Sequence, residues 1–243
     1  MKTALEDINP DLIESIKGIK NNDICVILGD LNSQDILDHN GKNLLFYAVE
    51  FQNLHATQFL IDKLDINHQS NSGNTVLHVA VSLGNLEIIK LLLKKAIDPN
   101  LKNKEGASAI FNALFLLDKD NSLEIIKVLK QYKANIDQKD NKGLSPILIA
   151  VSNTDKKTAN YLAKLGAKTD YLSEESLEKI LSNVISSSQA KEESKQQMLE
   201  IIREIKNQQK QNKIISPSPI ETPSTVISKE EFNSITKEPF REL

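Results

Sequence analysis

The sequence is poor in the residues on which many catalytic and metal-binding sites depend. Its 243 residues include one cysteine, eight glycines, seven prolines and no tryptophan. The lone Cys25 excludes an internal disulfide and leaves no second thiolate for a zinc site. None of the four histidines has another histidine or a cysteine at helical or metal-ligand spacing, and no phosphate-binding glycine loop or nucleophile elbow is present. We therefore expect no catalytic residue, no metal and no cofactor.

Long apolar runs are lacking as well. The longest is Leu44–Val49, whereas a membrane-spanning helix needs about 20 apolar residues. Residues 1–20 carry acidic side chains and lack the apolar core of a cleaved signal peptide. A net charge of −3 argues against a broadly basic nucleic-acid-binding surface. These features predict a cytoplasmic protein without membrane insertion and without a nucleic-acid partner.

The sequence does contain a unit of about 33 residues that recurs. In its clearest copy, Ser72–Asn100, a short apolar helix follows Thr75, Gly84 and Asn85 interrupt it, and Leu86–Leu93 has the apolar spacing of a second helix. Glycines at positions 41, 73, 106 and 143 open four copies, at steps of 32, 33 and 37 residues. The third copy therefore has about four extra residues, which we place around 117–121, between its two helices.

These units resemble ankyrin repeats. The second copy matches the consensus of that family at ten positions, Gly73, Thr75, Leu77, His78, Ala80, Gly84, Glu87, Leu91, Leu92 and Asn100. The fourth copy matches at Asp140, Gly143, Pro146, Ala150, Gly166 and Ala167, whereas phenylalanine replaces the consensus histidine at positions 46 and 111. The resemblance implies an all-α solenoid of stacked helix–turn–helix units. In such a solenoid, Gly73, Thr75, Ala80 and Gly84 are structural, and His78 bonds backbone between neighbouring loops.

The order of segments follows from the repeats and from shifts in composition. We predict an N-terminal capping or divergent repeat (1–37), four repeats (38–67, 68–100, 101–137 and 138–170), a C-terminal cap (171–186), a polar helix (187–213) and a disordered tail (214–243). The polar helix has one apolar stripe that includes Met198, Ile202 and Ile205. The stripe is too short for a coiled coil, so the helix either docks on the last repeat or frays, with pairing to a partner helix as the alternative.

The resemblance also implies where a ligand would bind, on the loop tips and on the concave face of the first helices. Carried onto this sequence, the candidate partner-binding residues are Tyr47, Glu50, Phe51, Val79, Ser82, Leu83, Asn112, Phe115, Lys102, Lys104, Lys139 and Lys142. Tyr47, Phe51 and Phe115 are aromatic at positions that the core does not require, although Phe115 has the alternative of packing under the extra residues of the third copy. His39 and His68 fall in loops, where we expect them to be solvated.

The sequence therefore favours a non-catalytic, monomeric protein that binds another protein. Its richness in lysine, asparagine and isoleucine suggests an AT-rich coding genome. By analogy with ankyrin-like proteins of intracellular bacteria, one hypothesis is an effector secreted into a host cell without a cleaved signal peptide. The alternatives are an internal bacterial scaffold or inhibitor and, from another class, an enzyme with a module hidden in the tail. The tail beyond Ser186 has too few apolar residues to make that enzyme attractive.

Overall fold

The computed structural model describes residues 37–170, 172, 173, 175 and 188–215. The chain divides into two compact units, residues 1–206 and 207–243, and the description below concerns the first; of the second, residues 207–215 continue a helix. The predicted N-terminal repeat (apart from Leu37), most of the C-terminal cap and the tail beyond residue 215 lie outside the described residues. The described residues contain helices, turns and loops but no strand.

Four pairs of short helices follow one another along residues 44–164. They are α1 (Leu44–Glu50) with α2 (Leu54–Leu60), α3 (Val76–Ser82) with α4 (Leu86–Lys94), α5 (Ala109–Ala113) with α6 (Lys119–Gln131), and α7 (Pro146–Ser152) with α8 (Lys156–Lys164). A long helix, α9 (Ser188–Ile215), comes after them. The all-helical solenoid that the repeats predict is confirmed.

Polar residues begin the helices at equivalent positions of each pair. The first helices start after Asn43, Thr75, Ser108 or Ser145, all of which are buried. The second helices start after Asn53, Asn85, Asp118 or Asp155, whose side chains accept hydrogen bonds from backbone N–H groups of the first turn. Because the N–H groups of a first helical turn have no partner within the helix, these caps fix where each helix begins.

Small residues on the first helices allow the pairs to stack. Ala48, Ala80, Ala113 and Ala150 occupy the same position of successive pairs and are buried. The second helices contribute a row of larger side chains to the same core, Leu60, Ile88, Ile89, Leu92, Ile125, Ile126, Leu129 and Leu162. A single helix pair cannot cover its own apolar face, so this core runs continuously through the stack.

In the third helix pair, the extra residues do not lie where the sequence predicted them, in the loop between the two helices. The second helix α6 has 13 residues, whereas α4 and α8 have nine each. The cap Asp118 follows Ala113 by the same number of residues that separates Asn85 from Ala80. The extra residues therefore form an additional first turn of α6 rather than a longer loop. That turn is held by a hydrogen bond from Ser122 Oγ to the carbonyl oxygen of Ala113, at 2.7 Å.

Helix α9 packs on the core of the repeats and is joined to α8, the second helix of the last repeat, by an ion pair. Its apolar stripe, Met198, Ile201, Ile202 and Ile205, is buried in the common core. Beside the stripe, Lys156 Nζ lies 2.6 Å from Glu204 Oε1. Of docking, fraying and pairing with a partner helix, the structure supports docking, and the described helix covers residues 188–215. None of the described helices combines the length and apolarity needed to cross a membrane.

Candidate functional site

The loops that precede the four first helices lie side by side and are joined by backbone hydrogen bonds. The N–H of Asn71 donates to the carbonyl oxygen of Asn40 at 2.7 Å, and that of Lys104 donates to Ser72 at 3.0 Å. The series continues from the N–H of Asn141 to the carbonyl oxygen of Glu105, at 2.9 Å. We call these four loops, residues 39–42, 71–74, 102–105 and 139–142, the tip row. Because each loop is bonded to the next, the tip row presents its side chains on a frame that is already ordered.

Each tip is also closed by a tight turn. In the first and fourth loops, a carboxylate oxygen of Asp38 or Asp140 accepts two backbone N–H groups from the following residues, at 2.7 to 2.9 Å. A glycine with positive φ completes the turn. At Gly73 (φ +79°), an added Cβ would lie 2.8 Å from the backbone nitrogen of Lys104, so glycine is needed for the backbone conformation and for the approach of the next loop.

His78 connects two repeats through its ring. Its Nδ1 accepts a hydrogen bond from the N–H of Thr75 at 3.1 Å, and its Nε2 therefore carries the proton and donates to the carbonyl oxygen of Ala107, also at 3.1 Å. Burial lowers the pKa of His78, with the hydrogen bond to Ala107 opposing that effect. The ring is thus a neutral structural link.

His68 makes a related link, which corrects the expectation that it is solvated. The ring is half-buried, with Nε2 at 2.7 Å from the carbonyl oxygen of Gly41. It also packs edge-on against Phe46, with 6.2 Å between the ring centroids. The other predicted loop histidine, His39, is exposed and contacts Asn40.

The candidate lysines all lie in the third and fourth loops of the tip row. Lys102, Lys104, Lys139 and Lys142 are exposed, and Lys102 Nζ donates to the carbonyl oxygen of Lys139 at 2.7 Å. The first two loops present a different set of side chains, mostly uncharged and polar, namely His39, Asn40, Lys42, Asn71, Ser72 and Asn74. Positive charge is therefore concentrated toward the C-terminal half of the tip row.

Several candidate residues of the first helices pack partly against the hydrophobic core. Tyr47, Phe51 and Val79 are half-buried and pack against the core, and the Tyr47 hydroxyl donates to Asp38 Oδ2 at 2.8 Å. The prediction that the core does not require Tyr47 and Phe51 is therefore wrong. Glu50 is paired with Lys42, with 2.5 Å between Oε1 and Nζ.

Polar candidates connect the first helices of the second and third repeats. Asn112 Nδ2 donates to Ser82 Oγ at 2.7 Å, and Ser82 Oγ donates to the carbonyl oxygen of His78 at 2.9 Å. Ser82 is exposed and Asn112 half-buried. These two side chains form the polar middle of the surface between the tip row and the turns.

Apolar side chains are exposed at the turns between the helices of the second and third repeats. The exposed fractions are 41% for Leu83, 65% for Phe115 and 97% for Leu117. The exposure of Phe115 overturns the alternative that it packs under the extra residues. The turn of the second repeat is bonded to the first turn of α6, because Asn121 Nδ2 donates to the carbonyl oxygen of Gly84 at 2.8 Å. We call Leu83, Phe115 and Leu117 the turn patch.

Leu117 is the member of this surface that sequence reasoning missed. It stands directly before Asp118, the cap of the lengthened helix α6. The change from 33 to 37 residues in the spacing of the glycines was the signal that this turn differs from the others. In the described part of the chain, no group of three or more His, Cys, Asp or Glu side chains is arranged to hold a metal ion.

Comparisons with known proteins agree with this repeat architecture. Residues 9–103 match the family model described as Ankyrin repeats (3 copies). An ankyrin repeat protein of Acanthamoeba polyphaga mimivirus is 32% identical over 80 residues, which cover 32% of this chain and 10% of that protein. Ankyrin repeat and SAM domain-containing protein 6 of Rattus norvegicus is 31% identical over 126 residues, 50% of this chain and 14% of that protein.

A third relative carries the name of an enzyme. E3 ubiquitin-protein ligase hecd-1 of Caenorhabditis elegans is 28% identical over 127 residues, which cover 49% of this chain but 4% of the ligase. The chain spans at most 14% of the length of these three relatives. The similarity therefore concerns the repeats that they share.

Proposed function

We propose that this chain binds a partner protein through the tip row, the concave face of the first helices and the turn patch. Residues 9–103 match ankyrin repeats, which are generally non-catalytic modules for protein–protein interaction. The observation that carries the proposal is the series of backbone hydrogen bonds that joins the four loops of the tip row. A surface that is ordered before binding loses less conformational entropy when the partner docks.

The chemistry of this surface supports the same function. Protein interfaces combine a few large apolar or aromatic anchors with polar groups at the rim. Here Phe115, Leu83 and Leu117 are the exposed anchors, while Ser82 and the tip-row lysines supply the polar groups. Tyr47, Phe51 and Val79 pack against the core, so they contribute mainly to the stability of the solenoid.

An affinity capture tests this proposal. Tagged wild type is compared with a Leu83→Ala, Phe115→Ala double variant in eukaryotic and in bacterial lysates, and captured proteins are identified by mass spectrometry. Both changed side chains are exposed, so we expect the variant to fold. The matched control is Tyr132→Ala, because Tyr132 is an exposed aromatic residue, at 37%, that lies at the end of α6 and outside the proposed surface.

The expected result is a protein that wild type and Tyr132→Ala retain and the double variant loses. Equal capture by all three would contradict the proposed surface.

We further propose that the chain is a host-directed effector, with an internal bacterial scaffold or inhibitor as the alternative. Capture from the eukaryotic lysate would favour the effector, and capture from the bacterial lysate would favour the scaffold or inhibitor.

A further inference from the structure

We propose that the turn patch and the lysines of the tip row form one recognition surface for an extended acidic segment of a partner protein, a segment that also carries one or two large apolar side chains. This inference rests on the proposed function and adds the chemistry of the partner.

The apolar half of the surface lies at the connection that precedes the additional turn of α6 and at the neighbouring turn of the second repeat. Leu117 directly precedes the cap Asp118 in the connection 114–117, and the side chains of Leu117 and Phe115 are both exposed to solvent. The neighbouring turn of the second repeat is held against the start of α6, because Asn121 Nδ2 donates to the carbonyl oxygen of Gly84. The exposed apolar side chains thus come from two repeats whose backbones are bonded to each other at this point. Exposed apolar groups gathered in one region of a protein surface indicate a contact surface for a partner.

The charged half lies at the other end of the same first helices. Lys104 and Lys142 are exposed, and Lys102 is held in place by its bond to the backbone of Lys139. The acidic residue Asp140 of these loops is engaged in closing its own turn. Glu105 is the remaining acidic residue of the third loop. The third and fourth loops therefore have an excess of positive charge, to which carboxylates of a partner are complementary.

The two halves are close enough for one short segment to reach both. Helix α5 separates the third loop from Phe115 and has five residues, so it rises about 7.5 Å. With the residues that lead into the helix, the gap is roughly 15 Å, which an extended chain covers in about five residues. Ser82 and Asn112 lie along this path and can bond the backbone of such a segment.

A protein segment fits this surface better than a nucleic acid. Binding to a phosphate backbone depends on a basic stripe that follows the backbone. Here the lysines occupy one end of the surface, with Glu105 among them, and the other end is apolar. An acidic and apolar peptide matches both ends.

The test is a selection of random displayed peptides on the immobilised full-length protein, followed by binding titrations with one enriched synthetic peptide. We expect enrichment of Asp and Glu together with Leu, Ile or Phe. Two variants separate the halves of the surface, Lys104→Glu with Lys142→Glu, and Phe115→Ser with Leu117→Ser. Each variant should lower the affinity for the peptide by about tenfold, the order seen when an interface anchor is lost. Added salt should weaken binding of the peptide to wild type.

Matched controls change the same residue types elsewhere. Lys130→Glu with Lys164→Glu alters two exposed lysines of the second helices, and Tyr132→Ser removes an exposed aromatic ring. Both should bind the peptide as wild type does. Thermal unfolding of every variant verifies that it is folded, which we expect because each changed side chain is exposed.

Four outcomes would overturn the inference: no enriched sequence, enrichment without acidic residues, an acidic peptide that still binds Lys104→Glu with Lys142→Glu, or tighter binding to a short DNA duplex than to any peptide. Neutral peptides that are lost only in Phe115→Ser with Leu117→Ser would overturn the inference while leaving the proposed function intact. Peptides that bind every variant equally would contradict both.

Discussion

The ring nitrogen Nε2 of His78 lies 3.1 Å from the carbonyl oxygen of Ala107, 29 residues further along the chain. The same ring caps its own helix, because Nδ1 accepts the N–H of Thr75. One neutral side chain therefore fixes the start of α3 and the entrance to the next repeat. Protonation of Nδ1 would remove the acceptor for Thr75 and place a charge in a buried site.

Stability should consequently depend on pH in the range where histidine titrates. Burial lowers the pKa of His78 in the folded protein below the ordinary 6.5, so the unfolded chain binds the proton first as the pH falls. The free energy of unfolding should be highest above the unfolded pKa and should decrease below it until the folded pKa is passed. Urea unfolding between about pH 7.5 and about pH 5.5 measures this slope, above the range in which most carboxylates titrate.

The matched variants are His78→Asn and His55→Asn. The first removes the buried titrating group, so it should be less stable at neutral pH and show a flatter profile. The second changes an exposed histidine of α2 and should keep the wild-type slope. An unchanged slope in His78→Asn would contradict this role of the ring.

The close stacking of the repeats makes a prediction about packing. Ala80 and Leu92 are both fully buried. Ala80→Phe should overpack the contact between first helices and destabilise by about 1–3 kcal/mol or more, and Leu92→Ala should destabilise by about 2–5 kcal/mol through lost burial and a cavity. Chemical denaturation at constant pH measures both, and near-wild-type stability of the two variants would disprove the register of the stack.

In the described part of the chain, four turn residues other than glycine have a left-handed conformation, Gln52, Ala96, Lys133 and Thr154. Thr154 has a φ of 53° and Lys133 a φ of 65°, at the places where other repeats have Gly84 and Gly166. A β-branched residue such as Thr154 is strained in this region. Thr154→Gly should therefore stabilise the protein, by about 0.5–1 kcal/mol after the entropic cost of glycine, and Lys133→Gly should act in the same direction.

The control for these glycines is Lys90→Gly, in the middle of α4. There the backbone is helical, so glycine should destabilise by about 1 kcal/mol. Thermal or urea unfolding compares the three variants. A loss of stability in Thr154→Gly as large as that in Lys90→Gly would show that the left-handed turn is not strained.

Docking of α9 predicts a contrast between a buried and an exposed residue of that helix. Ile205 is fully buried, and Ile205→Ala should destabilise by about 2–5 kcal/mol. The hydrogen bond with Lys156 lowers the pKa of Glu204, but this pair is exposed to solvent. Glu204→Gln should therefore change stability little. Equal, small effects of the two variants on urea unfolding of the full chain would contradict the docked helix.

Much of the repeat stack could be predicted because its determinants are local. Gly73, Thr75 and His78 form a turn, a cap and a link within a few residues of one another, and the spacing of the glycines sets the register. The place of the extra residues could not be read in the same way. A loop and an additional helical turn both accommodate them, and the bond from Ser122 to Ala113, which decides between the two, depends on packing.

The candidate site was predicted less well than the fold. Exposure of a side chain depends on its neighbours in space, so sequence could not separate Phe51, which packs on the core, from Phe115, which does not. His68, unlike His78, does not occupy the consensus histidine position of the repeat. The sequence therefore did not indicate its bond to Gly41, which lies 27 residues earlier in the chain. Leu117 gave no periodic signal, because it lies in the connection between α5 and α6, outside both helices.

The central claim, that this chain holds a protein partner on the surface formed by the tip row, the first helices and the turn patch, can be tested by site-specific photo-crosslinking. A photoreactive phenylalanine analogue is placed at position 115 in one sample and at position 132 in another, and each is irradiated in the lysate that supplies the captured partner. Both positions hold exposed aromatic residues, so incorporation should leave the fold unchanged. We expect a crosslinked adduct with the partner from position 115 and none from position 132. An adduct from position 132 alone, or from neither position while the partner is still captured, would contradict the claim.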